Sequence, residues 1–202
     1  MSDNRSDNLP NNICRKKLLL ASGSPRRLEL LRAAGIEPEV LAADVDELTG
    51  NLPPAALVQA NAELKARAVA KLRPEATILA ADTVVALDGR IFSKPQDEAD
   101  AKCMLAELSG RTHSVFTGVA VWLDGELKSE VAETKVTFRE MSGAEIAAYV
   151  AGGEPMDKAG AYAIQGEGGA FVKSYEGDFD NIVGLPMRVV AELLPLAEFA
   201  AK

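Results

Sequence analysis

Histidine is almost absent from this chain. His113 is its single copy, which excludes HExxH sites, His-rich zinc sites and repeated use of imidazole as a general base. Acid–base chemistry must therefore fall to carboxylates, and His113, beside Thr112 in a strand pattern, reads as a surface or satisfied structural residue. Cysteine is equally scarce: Cys14 and Cys103 stand far apart with no CxxC and no cluster. Such usage points to reduced thiols in a cytoplasmic protein, with no disulfide framework and no catalytic thiol; Cys103, on a helical stretch, reads as core. Positive charge is the minority sign, 22 Lys and Arg against 30 Asp and Glu for a net −8. That argues against a nucleic-acid binder, whose affinity rests on neutralising phosphates, and any basic site must be local. No apolar run reaches membrane-spanning length, and the N-terminal MSDNRSDNLPNN lacks an apolar h-region, so neither a membrane segment nor an export signal is expected.

What the chain does have is an ordinary globular composition, 48% hydrophobic and 26% charged over 202 residues, enough for one good-sized domain or two small lobes sharing a core. Residues 1–13 hold almost nothing that could be buried and read as a disordered tail; residues 14–202 read as a single domain without repeats or a linker. The organising stretch is LLLASGSPRRLELL, Leu18 to Leu31. A short apolar strand passes through the small turn Ser22-Gly23-Ser24 into a helix with Ser24 as N-cap and Pro25 at the first helical position. Free N–H groups at such a helix start favour an anion, and Arg26 and Arg27 add full charges beside it. Taken alone, the same letters also describe a well-capped helix with two solvated arginines.

Downstream, Glu37 to Leu41 reads as a strand, followed by the acidic loop Asp44-Val45-Asp46-Glu47. Pro54 to Lys71 reads as a helix from which Lys65 projects at the inner edge. Thr77 to Ala81 is a buried strand ending at Asp82-Thr83, and Val84 to Leu87 continues to an Asp88-Gly89 turn, so that a hairpin presents Asp82 and Lys94. Asp97 caps a helix running to Gly110. Val115–Leu123 and Leu127–Phe138 are strands joined at Asp124-Gly125, and Ser142-Gly143-Ala144-Glu145 matches a capping box. Glu154 to Gly169 is mostly turn, and its small residues from Asp157 to Gly166 suit a wall that closes on a flat ligand. Ala170 to Tyr175 reads as a strand, Gly177 to Gly184 as a loop and Pro186 onward as a last helix. The alternation implies a mixed α/β or α+β sheet cut by a cleft.

The polar residues placed at element ends are Ser22, Ser24, Arg26, Arg27, Glu47, Lys65, Asp82, Lys94 and Gln165, a mixture of phosphate-binding cations and metal-capable carboxylates. Mg²⁺ takes one or two protein carboxylates together with substrate phosphates, so no histidine is needed. The segments ASGSPRRLELL, ELKARA, ADTVVALDGRIFSKPQDEADA, LSGRTHSVFTGVAV, DKAGAYAIQG and NIVGLP, in that order from Leu18 to Leu194, resemble the Maf family of nucleoside triphosphate pyrophosphatases. The resemblance implies a mixed sheet with flanking helices, elongated, with a deep cleft between two lobes and often homodimeric. It implies hydrolysis of a nucleoside triphosphate to monophosphate and pyrophosphate with a divalent cation, Mg²⁺ or Mn²⁺. By the family's motifs Asp82 is the proton acceptor and Glu47 a metal ligand alongside it, with Asp44 and Asp46 as alternatives in the same loop. Lys65, Lys94 and Arg27 neutralise the triphosphate, while Ser22, Gly23 and Ser24 align it.

A double arginine after SxSP together with Gln in AYxIQG is similar to the branch acting on dTTP and UTP, with Arg26, Thr83 and Gln165 at its specificity positions. The Gln amide both donates and accepts, as the O4 and N3–H edge of thymine or uracil requires; the other branch prefers 7-methyl-GTP. The chain departs from the family at Ala60-Asn61-Ala62, where Arg-Leu-Ala is common, and at AYAIQG, where AYGIQG is common. A rival reading is a nucleotide-binding regulator of septum formation without turnover.

Overall fold

The computed structural model describes residues 17–50 and 52–199; the N-terminal tail and Cys14 lie outside the described residues. In chain order the elements are β1 (Leu18–Leu20), α1 (Pro25–Ala33), β2 (Glu39–Val40), α2 (Pro54–Leu72), β3 (Thr77–Leu87), β4 (Arg90–Phe92), α3 (Glu98–Leu108), β5 (Thr112–Leu123), β6 (Glu126–Phe138), α4 (Gly143–Ala151), β7 (Val172–Glu176), α5 (Phe179–Val183) and α6 (Met187–Leu193), with three 3-10 turns between α4 and β7 and one after α6. The seven strands form one mixed sheet in the order β2-β1-β3-β5-β6-β7, with β4 paired to β3. β1 runs parallel to β2 and β3; the remaining pairs are antiparallel. This is the mixed α/β architecture expected from the sequence.

Two hairpins form where Asp-Gly pairs stand. Asp88 and Gly89 take φ 51° and 80°, and Asp124 and Gly125 take 51° and 86°, the left-handed pair that a two-residue type I′ turn needs. Helix starts follow the same local logic. Asp97 accepts from the Asp100 N–H, and Ser142 and Glu145 close a reciprocal capping box, each cap worth about 1 kcal/mol.

The long strands β3 and β5 thread two packed regions. Near one end Leu79, Ala81, Val119 and Val121 pack with Leu31, Leu185 and Val190 on one face of the sheet, while Ile78, Ala80 and Ala120 pack with Ala62, Ala66 and Val69 of α2 on the other. At the far end Val85, Leu87 and Val115 join Leu105 and Leu108 of α3, Ile146 and Val150 of α4, Phe138 and Phe171. Asp82 and Thr83 fall between these regions, where the cleft opens.

Several local expectations change. Asp82 is not at a strand end but inside an eleven-residue strand, because Thr83 and Val84 keep pairing with Thr117 and Phe116. Cys103 is exposed, since α3 turns Ala101, Met104, Leu105 and Leu108 inward and leaves position 103 on the outer face. The stretch 177–184 is not a loop: Phe179–Val183 forms a short helix closed by Gly184 at φ 116°. β2 shrinks to two residues, and β7 begins at Val172 because residues 167–171 coil into a 3-10 turn. Ser24 stands at the N-cap position, but its side chain makes no cap bond. His113 is buried and its Nε2 meets the Tyr162 hydroxyl at 3.0 Å, yet among the described residues Nδ1 has no partner, so within them the residue is structural but only half satisfied.

Candidate active site

One cleft of about 1280 Å³ gathers Ser22, Gly23, Ser24, Arg26, Arg27, Glu47, Lys65, Asp82, Thr83, Lys94 and Gln165 along its walls. Three elements supply the floor. β3 contributes Asp82 and Thr83, and because strand side chains alternate, Asp82 turns toward α2 and Thr83 toward α1. α2 contributes Asn61 and Lys65, one turn apart on the face whose other members, Val58, Ala62, Ala66 and Val69, are buried. The turn after β1 contributes Ser22, which is itself buried.

The close approach of α2 depends on Gly118, the residue that pairs with Asp82 across the β3–β5 ladder. A Cβ at Gly118 would lie 2.3 Å from the Val58 carbonyl oxygen and 2.7 Å from the Gln59 nitrogen. Only glycine admits the helix backbone at that distance, and the approach brings the next turn of α2 onto Asp82.

Charge is concentrated on Lys65. Its Nζ lies 2.7 Å from Asp82 Oδ1 and 2.7 Å from Glu47 Oε1, so a buried ammonium stands between two carboxylates. Partial burial by itself would push the Glu47 carboxyl up; the hydrogen bond and charge of Lys65, with Lys94 and Arg27 behind it, outweigh this and hold Glu47 below the usual carboxylate range. Of the acidic loop, Glu47 reaches the cleft, whereas Asp44 and Asp46 are exposed and do not line it. Asn61 donates through Nδ2 to Asp82 Oδ2 at 3.2 Å.

Arg27 points inward. Nε donates to the Gly184 carbonyl at 2.8 Å, Nη1 to Ser22 Oγ and the Ala81 carbonyl at 2.9 Å each, and Nη2 to Thr83 Oγ1 at 3.1 Å. Desolvation lowers its pKa to about 10, against the opposing attraction of Asp82, which leaves it cationic at neutral pH. Thr83 accepts from Arg27, so its hydroxyl proton goes to Thr117 Oγ1 at 3.0 Å, and Thr117 in turn donates to the Asn181 carbonyl at 3.2 Å. This one-way chain ties the Ser22 turn, the Asp82 strand and α5 together.

At the rim, Arg26 lies 3.6 Å from Asp157, whose other partner, Lys158, is the main cause that holds its carboxyl low. Lys94 and Gln165 also line the cleft and are exposed. Thr117 and Asn181 carry no signal in the sequence as site residues, because each acts through a neighbour. Asn61 was visible only as a departure from Arg-Leu-Ala.

No helix among the described residues is long and apolar enough to cross a membrane. A profile of the family described as Maf-like protein matches residues 17–197. A protein of Moorella thermoacetica named dTTP/UTP pyrophosphatase is 51% identical over 183 residues, covering 89% of this chain and 94% of its own. A Bacillus cytotoxicus protein of the same name is 49% identical over 180 residues, covering 88% and 94%. A third so named, from Pelotomaculum thermopropionicum, is 47% identical over 182 residues, covering 89% and 95%.

Proposed function

The chain belongs to the Maf-like protein family, and from that premise we propose that it hydrolyses a nucleoside triphosphate, dTTP or UTP by preference, to the monophosphate and pyrophosphate. The observation that carries this reading is the meeting of Asp82, Glu47 and Lys65 at the floor of the cleft whose walls also hold Arg26, Lys94 and Gln165. A protein that only binds nucleotide has no use for two carboxylates beside a polyphosphate unless a cation lies between them.

A divalent cation suits the donor set. Glu47 Oε1 and Asp82 Oδ1 converge on one positive centre, and hard carboxylate oxygens in that number are what Mg²⁺ takes from a protein when phosphates complete its shell. Glu47 and Asp82 would hold the ion, which when bound neutralises phosphate charge. The chain's own groups do the rest. Asp82 accepts the proton of a water that attacks at the α–β anhydride; the new P–O bond forms as the bond to pyrophosphate breaks. Lys65 and Lys94 neutralise the charge that moves onto the leaving group, each charge-assisted bond worth about 1.5–3 kcal/mol. Arg27 spends four of its five N–H groups inside the protein, so its contribution is to fix Ser22 and Thr83 and to add positive potential at the phosphate turn. Arg26, Thr83 and Gln165 read the base, Gln165 through its paired donor and acceptor.

The test is pyrophosphate release from dTTP, UTP, CTP, GTP and 7-methyl-GTP with Mg²⁺ or Mn²⁺. Highest kcat/KM on dTTP and UTP is expected; preference for 7-methyl-GTP would refute the branch, and release from none would refute the activity.

A further inference from the structure

Asn61 is 2% exposed, beneath the acidic loop and beside Asp82. Its Oδ1 accepts the Leu48 N–H at 2.7 Å, and its Nδ2 donates to the Leu48 carbonyl and to Asp82 Oδ2, both at 3.2 Å. The orientation of the amide is decided by these partners. Exchanging O and N would aim an oxygen at a carboxylate and an NH₂ at an N–H.

Two consequences follow from one side chain. The Asp82 carboxylate is held at both oxygens, by Lys65 on Oδ1 and by Asn61 on Oδ2, which fixes its plane as well as its position. The acidic loop is fastened by the same α2 face: among the described residues, the hydrogen bonds and ion pairs that bind Asp44–Gly50 to the body are Asn61 with Leu48 and Lys65 with Glu47. Leu48 is itself largely exposed, so the loop has little apolar anchorage of its own.

We propose that Asn61 is a positioning residue for the hydrolysis, which sets the distance and orientation between Asp82 and Glu47 by bonding to the first and to the residue that follows the second. This rests on the pyrophosphatase reading.

Asn61→Leu keeps the branched heavy-atom shape, with somewhat more bulk, and removes all three bonds. Loss of groups that orient ligand carboxylates typically costs about 10- to 100-fold in activity or metal affinity, so kcat on dTTP is expected to fall at least about tenfold on that scale, with KM within about twofold. NMR hydrogen exchange at the Leu48 amide is expected to accelerate at least about tenfold, as for a donor released to solvent. Asn61→Asp is the second variant. It keeps an acceptor for the Leu48 N–H but sets a carboxylate against Asp82, so that amide stays protected while kcat falls further. An Asn61→Leu enzyme with kcat within about twofold of wild type, or unchanged Leu48 exchange, would overturn the proposal, as would an active Asn61→Asp. If the wild-type protein releases no pyrophosphate, the functional reading fails, whereas Leu48 exchange still decides the tether.

Discussion

At the scale of single residues, the buried and half-buried charges of the site, Asp82, Lys65 and Arg27, each have more than one partner. Asp82 is nearly buried yet balanced by Lys65 and Asn61, an arrangement that positions an anion without exposing it to bulk water. Replacing Asp82 by Asn removes the proposed proton acceptor while preserving shape, and Lys65 retains Glu47 as counter-charge. Turnover is expected to fall by about a hundredfold or more, the usual contribution of a positioned general base, while nucleotide binding measured by calorimetry without a divalent cation changes little. Unchanged pyrophosphate release by Asp82→Asn would sink the assignment. Arg27 teaches a related lesson: it was legible in the sequence as a cation next to a phosphate turn, but its bonds to Ala81, Thr83 and Gly184 were not, because those partners lie on β3 and after α5.

At the scale of elements, the site is a matter of how closely α2 lies on β5. Gly118 makes that approach, and it stands opposite Asp82 in the ladder. Gly118→Ala would drive a methyl into the Val58 carbonyl, backbone that has no rotamer by which to move aside. Overpacking of this kind costs about 1–3 kcal/mol, which for a chain of this size lowers Tm by roughly 2–4 °C per kcal/mol; activity should fall with it as Asn61 and Lys65 retreat from Asp82. Gly143→Ala is the control, since a Cβ there meets nothing within 4 Å and alanine favours the helix. Equal thermal shifts in the two variants would refute the argument. The Gly118 contact could not be read in advance, because a glycine in a strand pattern signals a bulge, a bend or a close approach alike.

At the scale of the whole molecule, acid stability is tied to the region built around β5 and β6. His113 lies against Phe138 and Tyr162, and burial pushes its pKa from 6.5 down to about 4. The unfolded chain takes up a proton near pH 6.5 and the native one only near 4, so this contribution is complete above pH 6.5 and drains away as pH falls through about 4. It amounts to about 3 kcal/mol at one pKa unit per 1.36 kcal/mol. Thermal unfolding followed from pH 7.5 to 4 should show a shallower decline for His113→Phe than for wild type. Parallel curves would show that His113 does not carry the effect.

Features resolved within a few residues were determined by the sequence alone. The strand–turn–helix at Leu18–Ala33, the Asp-Gly hairpins and the caps at Asp97 and Ser142 all depend on φ preference, capping and local apolar pattern. A five-residue helix such as Phe179–Val183 is too short for periodicity to declare it, and Cys103 required knowing which face of α3 meets the core. Only the tertiary structure decided that Asp82 faces α2 while Thr83 faces Arg27, that Asn61 joins the acidic loop to Asp82, and that Arg27 reaches a carbonyl 157 residues away. The reason is physical: a turn or a cap is satisfied by neighbours in the chain, whereas a buried charge or amide is satisfied by whatever partner the packing of the sheet and helices delivers.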